Sequence, residues 1–266
     1  MESLRSDDAE IFYEVRGKGP PVVLLHPFPC HHEFWNPVAG ALESRYRLIL
    51  PDLRGHGESE IGEGPALMQK HARDVARVLD ALDISKAAFI GCSIGGYILF
   101  EFWRHFRARV NSLALCDTRP QADTGEARAS RLKAAASVLE QGTEPFLENL
   151  IPKLMGRTTV SSRPDLVDGA RAMMREMSAE DISLVQRGMA ERPDSVADLP
   201  TINVPTLIVI GEEDVLSTVA DGELMRQNIS GGQLKVVAKA GHYSPWEQPE
   251  AVGLLLRQFL DSVHAK

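Results

Sequence analysis

Runs of consecutive apolar residues recur along the chain at 22–25, 48–50, 87–90, 113–115, 206–210 and 234–237, each bounded by turn-forming residues. They are apolar almost throughout rather than alternating, apart from residues such as Lys235, which is the pattern of strands covered on both faces in a parallel sheet. Between these runs the spacing becomes helical. Helices are predicted near 65–82, 95–107, 216–227 and 248–262, the last with Val252, Leu255, Leu256, Phe259 and Leu260 on one stripe. Ile11, Tyr13 and Val15 alternate with polar neighbours and predict an antiparallel edge strand. Strands alternating with helices predict an α/β fold on a mostly parallel, doubly wound sheet.

The rhythm breaks from about 119 to 199, where no strand pattern occurs. Thr124 precedes an Ala-rich helix ending at Gly142, and Thr143 opens another ending at Gly156. A third helix is predicted over 164–177, and Ser178 begins a fourth with Glu180 and Asp181 in its first turn. The chain is therefore read as a core of 1–118 and 200–266, with a helical lid, 119–199, inserted between two strands of one sheet.

Composition narrows the functional classes. A chain of 266 residues buries enough surface to need neither disulfide nor metal to hold its core. Its net charge of −8 repels DNA, RNA and anionic membrane, so neither a nucleic-acid nor a membrane partner is expected. Cys30, Cys92 and Cys116 are odd in number and show no CxxC spacing, which predicts free thiols in a reducing compartment. The first eight residues lack the apolar core of a signal peptide. No apolar run approaches the ~18 residues that cross a bilayer. The expectation is a cytoplasmic protein, a monomer or small homo-oligomer, with no cofactor.

Candidate chemistry starts at Gly91-Cys92-Ser93-Ile94-Gly95-Gly96, where a predicted strand meets a predicted helix. A G-x-S-x-G turn there is sharp enough to lift the serine hydroxyl above the sheet, at a helix N-terminus that favours developing negative charge. A second reading is a degenerate dinucleotide loop, with Gly91, Ser93 and Gly96 approximating G-x-G-x-x-G and Asp117 further on. It is disfavoured because the middle position is not glycine and the loop follows a mid-chain strand. A serine needs a base and an orienting carboxylate. His242, in a loop between a strand and the last helix, is the best-placed base. Glu212, Glu213 and Asp214 follow the 206–210 strand, and spacing alone does not choose among them.

Several motifs now add to this pattern. His26-Pro-Phe-Pro follows the first apolar run, Pro51-Asp-Leu-Arg-Gly-His-Gly-Glu-Ser59 follows the second, and Gly211-Glu-Glu-Asp214 and Gly241-His242 with Glu247-Gln-Pro-Glu250 come later. In this order they resemble the HGxP, DxRGxGxS, G-x-x-D and GH…ExPE motifs of the α/β-hydrolase superfamily. The likeness is to its small lidded branch of carboxylesterases, 3-oxoadipate enol-lactonase-like proteins and cofactor-free haloperoxidases. The resemblance implies an α/β-hydrolase fold and selects Asp214 as the acid beside Ser93 and His242. It also implies an oxyanion hole from the backbone N–H groups of Phe28 and Ile94. One departure is Pro27, where the family usually has glycine.

The implied activity is hydrolysis of a small ester or lactone through a Ser-His-Asp acyl-enzyme. The alternative is a ligand-binding, receptor-like protein on the same scaffold with slow or incidental hydrolysis. A haloalkane dehalogenase is disfavoured, because it needs a carboxylate where Ser93 stands. For a dicarboxylic lactone, cationic groups over the pocket would be needed, and Arg157, Arg163, Arg171, Arg175 and Arg187 are available in the lid. Tyr243 and Trp246, flanking the histidine loop, are pocket candidates. Adjacent His31 and His32 are read as diverging side chains without further ligands, so no metal is expected.

Overall fold

The apolar runs become the inner strands of one sheet in a computed structural model that describes residues 1–264. The chain opens with β1 (Glu2–Ser6), β2 (Ala9–Arg16) and β3 (Pro21–Leu25), followed by the short helix α1 (Asn36–Ala39) and β4 (Arg47–Pro51). Next come α2 (Met68–Ala81), β5 (Ala87–Cys92), α3 (Ile94–Phe106) and β6 (Val110–Cys116). Five helices then interrupt the sheet: α4 (Gly125–Gln141), α5 (Thr143–Leu154), α6 (Arg157–Ser162), α7 (Pro164–Met174) and α8 (Ala179–Ala190). The chain returns as β7 (Thr206–Gly211), α9 (Val219–Asn228), β8 (Gln233–Val237), α10 (Ser244–Glu247) and α11 (Pro249–His264).

The eight strands lie in the order β1-β2-β4-β3-β5-β6-β7-β8, parallel except at β1 and β2. Every residue of β5 and β7 is buried, which is why their sequences are apolar throughout. Successive side chains point to opposite faces. Val23, Leu25 and Phe89 join a core with α2 and α3, while Val22, Leu24, Ala88 and Ile90 join another with Val252, Leu256 and Leu260 of α11. Two corrections concern the edges. The alternating strand β2 is not an edge: Tyr13 pairs with Glu2 on one side and Pro51 on the other, and the polar β1 lies outside it. At the other end β8 is an edge strand with only Val237 buried, although its sequence reads as an inner strand.

The helices between β6 and β7 start where their caps predict. Thr124 Oγ1 accepts from Ala127 N–H at 3.2 Å, and Ser178 Oγ accepts from Asp181 N–H at 3.1 Å. The segment after Gly156 differs from expectation, since a further helix, α6, precedes α7. α4 packs along α8, and the hydrogen bond from Ser195 N–H to Pro120 O (2.9 Å) closes the base of the insertion. Among the described residues no helix is long and apolar enough to cross a membrane.

Candidate active site

β3 has β4 on one side and β5 on the other, so the winding direction reverses there and a crevice opens beyond the carboxyl ends of β3 and β5. Phe28 follows β3 and Ser93 follows β5, so both enter that crevice. Ser93 has φ 54° and ψ −114°, a strained conformation for a residue with a side chain. Its backbone is held on both sides: Ser93 N–H donates to Cys116 O at 3.0 Å, and Thr118 Oγ1 donates to Ser93 O at 2.8 Å. Gly95 lets α3 approach the sheet, because a Cβ there would sit 2.5 Å from the carbonyl oxygen of Leu25.

Beside this turn, His242 Nε2 lies 2.7 Å from Ser93 Oγ, and His242 Nδ1 lies 2.8 Å from Asp214 Oδ2. A carboxylate only accepts, so Nδ1 carries the proton and Nε2 accepts from the serine hydroxyl. The other Asp214 oxygen accepts from the N–H groups of Leu216 (2.8 Å) and Ser217 (3.0 Å), which fixes the carboxylate. The three neighbouring acids are thereby sorted. Glu213 accepts from both N–H and Oγ1 of Thr158 at the start of α6, and Glu212 accepts only a long bond from Lys239 N–H.

Two buried carboxyl groups that the sequence marked, but not for this duty, frame these loops. Asp117 accepts from Gly211 N–H (2.8 Å) and from Ser244 N–H (3.0 Å) and Oγ (2.6 Å), tying the acid loop to the histidine loop. Burial, and then the nearby Asp214, push its carboxyl well above the ordinary range. Asp117 therefore serves as a strut rather than the ribose ligand of a dinucleotide loop. Glu247 accepts from Gly241 N–H and Gly156 N–H, both at 2.8 Å, and from Tyr243 N–H at 3.3 Å. It joins the histidine loop to the insertion, where Gly156 leaves no room for a Cβ beside Gly241. Its motif marked the segment but not this duty.

The N–H of Ile94 begins α3 and has no intrahelical partner by geometry. The N–H of Phe28 donates to no acceptor among the described residues. Pro27 contributes through its carbonyl, which accepts Cys30 N–H at 3.0 Å and lies 3.0 Å from His26 Nδ1. His26 Nε2 accepts from Leu53 N–H at 2.9 Å, so its Nδ1 is the donor. The missing N–H at Pro27 leaves the turn intact.

Tyr243 and Trp246 do not line the crevice, contrary to expectation. Tyr243 is fully buried and its hydroxyl donates to Phe28 O at 2.7 Å, which fixes the peptide that presents Phe28. Trp246 Nε1 donates to Leu166 O of α7 at 3.0 Å and its ring stacks near Phe34, so it holds the insertion. Tyr243 caps the short helix α10 and Trp246 lies within it, and loop position alone does not reveal where either ring goes.

A cavity of about 160 Å³ opens on Ser93 and His242, walled by Phe28, Tyr97, Leu154 and Met189. That is close to the volume that holds one benzene, so it admits a small group. A larger hollow of about 200 Å³ between α4 and α5 has Lys153 as its only ionisable lining residue and no nucleophile paired with a base.

None of the five arginines singled out from the insertion reaches the Ser93 cavity. Arg157, Arg163, Arg171 and Arg175 pair with carboxylates on the outer surface. Arg119 and Arg131 line it instead, beside Gln186. Both bond the buried Asp123, Arg119 Nη2 at 3.2 Å and Arg131 Nε at 2.6 Å, and Arg192 Nη1 joins them at 2.7 Å. Burial pushes Asp123 upward, but the arginines, Arg131 foremost, outweigh it and hold the carboxylate ionised below its usual range. Three guanidinium groups share one aspartate, and the buried Nε of Arg119 has no acceptor. Such a donor is costly to leave unpaired.

The cysteines are buried free thiols, and burial raises the Cys92 thiol well above its usual range. One histidine expectation needs correction. His31 and His32 do not diverge: their ring centroids are 5.3 Å apart, and Asp52 joins them in one group. His31 caps a short 3-10 turn that begins at His32, so the two side chains do not alternate as they would on a strand.

Comparison with known proteins agrees with this architecture. Residues 20–249 match the family model described as the alpha/beta hydrolase fold, and the chain belongs to that family. It is similar to 3-oxoadipate enol-lactonase 1 of Acinetobacter baylyi, 29% identical over 92% of this chain and 90% of the relative. Among solved structures it resembles a thermophilic esterase from Thermogutta terrifontis with malate bound, at TM-score 0.96 and 35% identity, covering 99% of this chain and 100% of that one. It also resembles the enol-lactonase from Burkholderia xenovorans, at TM-score 0.91 and 25% identity, covering 97% and 99%.

Proposed function

We propose that this protein is a hydrolase of small carboxylic esters or lactones that carry a second, ionised carboxylate. The observation that carries the reading is the continuous chain Ser93 Oγ, His242 Nε2, His242 Nδ1, Asp214 Oδ2, with links of 2.7 and 2.8 Å. Ser93 Oγ attacks the acyl carbon and its proton passes to His242 Nε2, while Asp214 holds the imidazolium that forms. The carbonyl oxygen, now negative, takes hydrogen bonds from the N–H groups of Phe28 and Ile94. Collapse expels the alkoxide, which receives the proton from His242. Water then repeats the sequence on the acyl-enzyme and returns Ser93 to its starting state. For a lactone the expelled alkoxide stays tethered to the acyl group through its carbon chain, and deacylation by water releases both as one hydroxy acid. The five-helix insertion acts as a lid that walls the small cavity and limits bulk water.

The second carboxylate follows from Arg119 and Arg131, which place cationic N–H donors in the same cavity as the nucleophile. The relatives named esterase and enol-lactonase support the carbonyl chemistry, and the malate bound to the Thermogutta terrifontis esterase is a dicarboxylate. Hydrogen bonds to a charged group contribute about 1.5–3 kcal/mol, which corresponds to roughly 10- to 150-fold in kcat/KM. Monomethyl succinate and methyl butyrate, similar in size, give the test. The wild type should favour the first by that factor, Arg119→Gln with Arg131→Gln should erase the preference, and Ser93→Ala should be inactive on both. Turnover by Ser93→Ala equal to wild type refutes the nucleophile. A wild-type preference for methyl butyrate refutes the carboxylate site.

A further inference from the structure

Outside the crevice, one cluster of metal-competent side chains remains without a role. We infer that His31, His32 and Glu176 form a binding site for a divalent transition-metal ion, with Zn²⁺ the chemical type, at the seam between sheet and insertion. His31 and His32 lie in the segment that continues from Phe28, and Glu176 lies in the turn between α7 and α8. The inference does not depend on the hydrolase reading.

His32 is prepared as a ligand. Its Nδ1 lies 2.7 Å from Asp52 Oδ1, and the same oxygen accepts the His32 backbone N–H at 2.8 Å. Asp52 is fully buried and also accepts Glu58 N–H, so it is a fixed acceptor. The ring proton is therefore on Nδ1, which leaves the lone pair on Nε2, and Glu14 Oε2 lies 3.9 Å from that nitrogen. A carboxylate behind the distal nitrogen is the usual support of a metal-binding imidazole.

His31 supplies the second donor. It is 6% exposed, and its buried Nε2 makes no hydrogen bond. Glu176 Oε2 is 3.3 Å from that nitrogen. Two ligands with bonds of about 2.0–2.1 Å in a tetrahedral site are separated by roughly 3.3–3.4 Å, so the pair already stands at the edge length of such a site. Coordination through Nε2 places the proton on Nδ1 and gives up a single long bond from Glu33 N–H at 3.4 Å. Ligating atoms of His31, His32 and the supporting Asp52 lie within 4.8 Å of one another, so both imidazoles and the carboxylate behind His32 form one compact group.

The surroundings favour a cation. These side chains line a hollow of about 410 Å³ whose wall adds Glu14, Glu33 and Glu58 to Asp52 and Glu176, against two cationic groups, Arg16 and the amino group of Met1. Arg16 is already engaged with Glu14. Two imidazoles with a carboxylate select Zn²⁺, Ni²⁺ or Cu²⁺ over Mg²⁺ or Ca²⁺. An ion there would link the turn before α8 directly to the segment that presents Phe28.

The test uses the whole chain, stripped with EDTA and dialysed, and titrated calorimetrically with Zn²⁺ alone. One ion per chain should bind with saturation in the micromolar range. His31→Ala with His32→Ala should weaken binding at least 10-fold, and Glu176→Gln about 5-fold. His105→Asn, which alters an exposed histidine elsewhere, should change nothing. Co²⁺ should give the intense visible absorption of a tetrahedral complex, lost in the His31/His32 variant. Zn²⁺ at a hundredfold excess over Kd should raise Tm by about 5 °C. Absence of saturation up to about 1 mM overturns the site, as does unchanged binding in the His31/His32 variant. If that variant fails to fold, Glu176→Gln decides alone, and wild-type affinity in it removes Glu176 and with it the seam.

Discussion

Replacing Glu247 with alanine should loosen the protein and slow it at once. Its carboxylate accepts two short bonds, from Gly156 and Gly241, and a third at 3.3 Å from Tyr243. Alanine leaves these buried N–H groups without an acceptor, at about 1–3 kcal/mol each. Counting the two short bonds gives roughly 2–6 kcal/mol. Against that, burial pushes the Glu247 carboxyl above its usual range, and alanine removes this desolvation cost. A net loss of about 3 kcal/mol follows, which for a domain of this size lowers Tm by roughly 6–12 °C. Gly241 adjoins His242, so relaxation of the loop should lengthen the bond to Ser93, and kcat should fall by at least about 10-fold. Glu247→Gln has the same shape but one acceptor oxygen, and its NH₂ must oppose an N–H, so it should not restore stability. Thermal unfolding by circular dichroism and kcat on p-nitrophenyl acetate at 25 °C provide the readings. A Tm within about 2 °C of wild type with kcat unchanged refutes the argument.

Two further outcomes follow from the same framework. A Cβ on Gly211 would overlap the carbonyl oxygen of Gly241, backbone against backbone. Gly211→Ala should therefore force the acid and histidine loops apart and cost about 3 kcal/mol in urea denaturation, and an unchanged midpoint contradicts that contact. Burial pushes the His56 imidazole down to about 4, with His26 and His71 shifted the same way. Between about pH 6.5 and 4 the unfolded chain then binds protons that the folded chain refuses, so stability is full above pH 6.5 and is lost as pH falls. His56 alone accounts for roughly 3 kcal/mol of that loss. His56→Gln should flatten the slope of the urea midpoint between pH 7 and 4.5, and a slope equal to wild type contradicts the burial argument.

Much of the architecture is legible in the sequence because β5 and β7 are covered on both faces, which forces uninterrupted apolar runs. The edges are harder to read. β1 is polar and half exposed, and β8 keeps an apolar sequence while exposing Val236, so hydrophobicity misplaces both. Ser93 and His242 are visible through their local turns, whereas the choice of Asp214 depends on which of three carboxylates the β7 loop aims at His242. Spacing does not encode that direction. Tyr243 and Trp246 flank the histidine loop in sequence, but Tyr243 is buried under Phe28 and the partly buried Trp246 packs against Phe34 and α7. Arg119 and Arg131 were hidden for another reason. Asp123 lies close to both in sequence, but only the folded insertion places them beside the Ser93 cavity.

The insertion leaves the sheet after β6 and returns at β7, and these two strands are hydrogen-bonded neighbours, Leu113 opposite Thr206. Its two ends therefore stand side by side and are stitched by Ser195 and Pro120. A segment with adjacent ends is a cassette: exchanging it leaves every strand register unchanged. Arg119, Arg131 and Glu176 travel with that cassette, while Ser93, Asp214 and His242 stay behind. On the proposed function the groups that select the substrate travel with the insertion, but Gly156 and Thr158 travel too, so an exchange has to keep their bonds to Glu247 and Glu213. Chimeras joined at 118 and 200 that retain those two contacts would test that division on the proposed substrates.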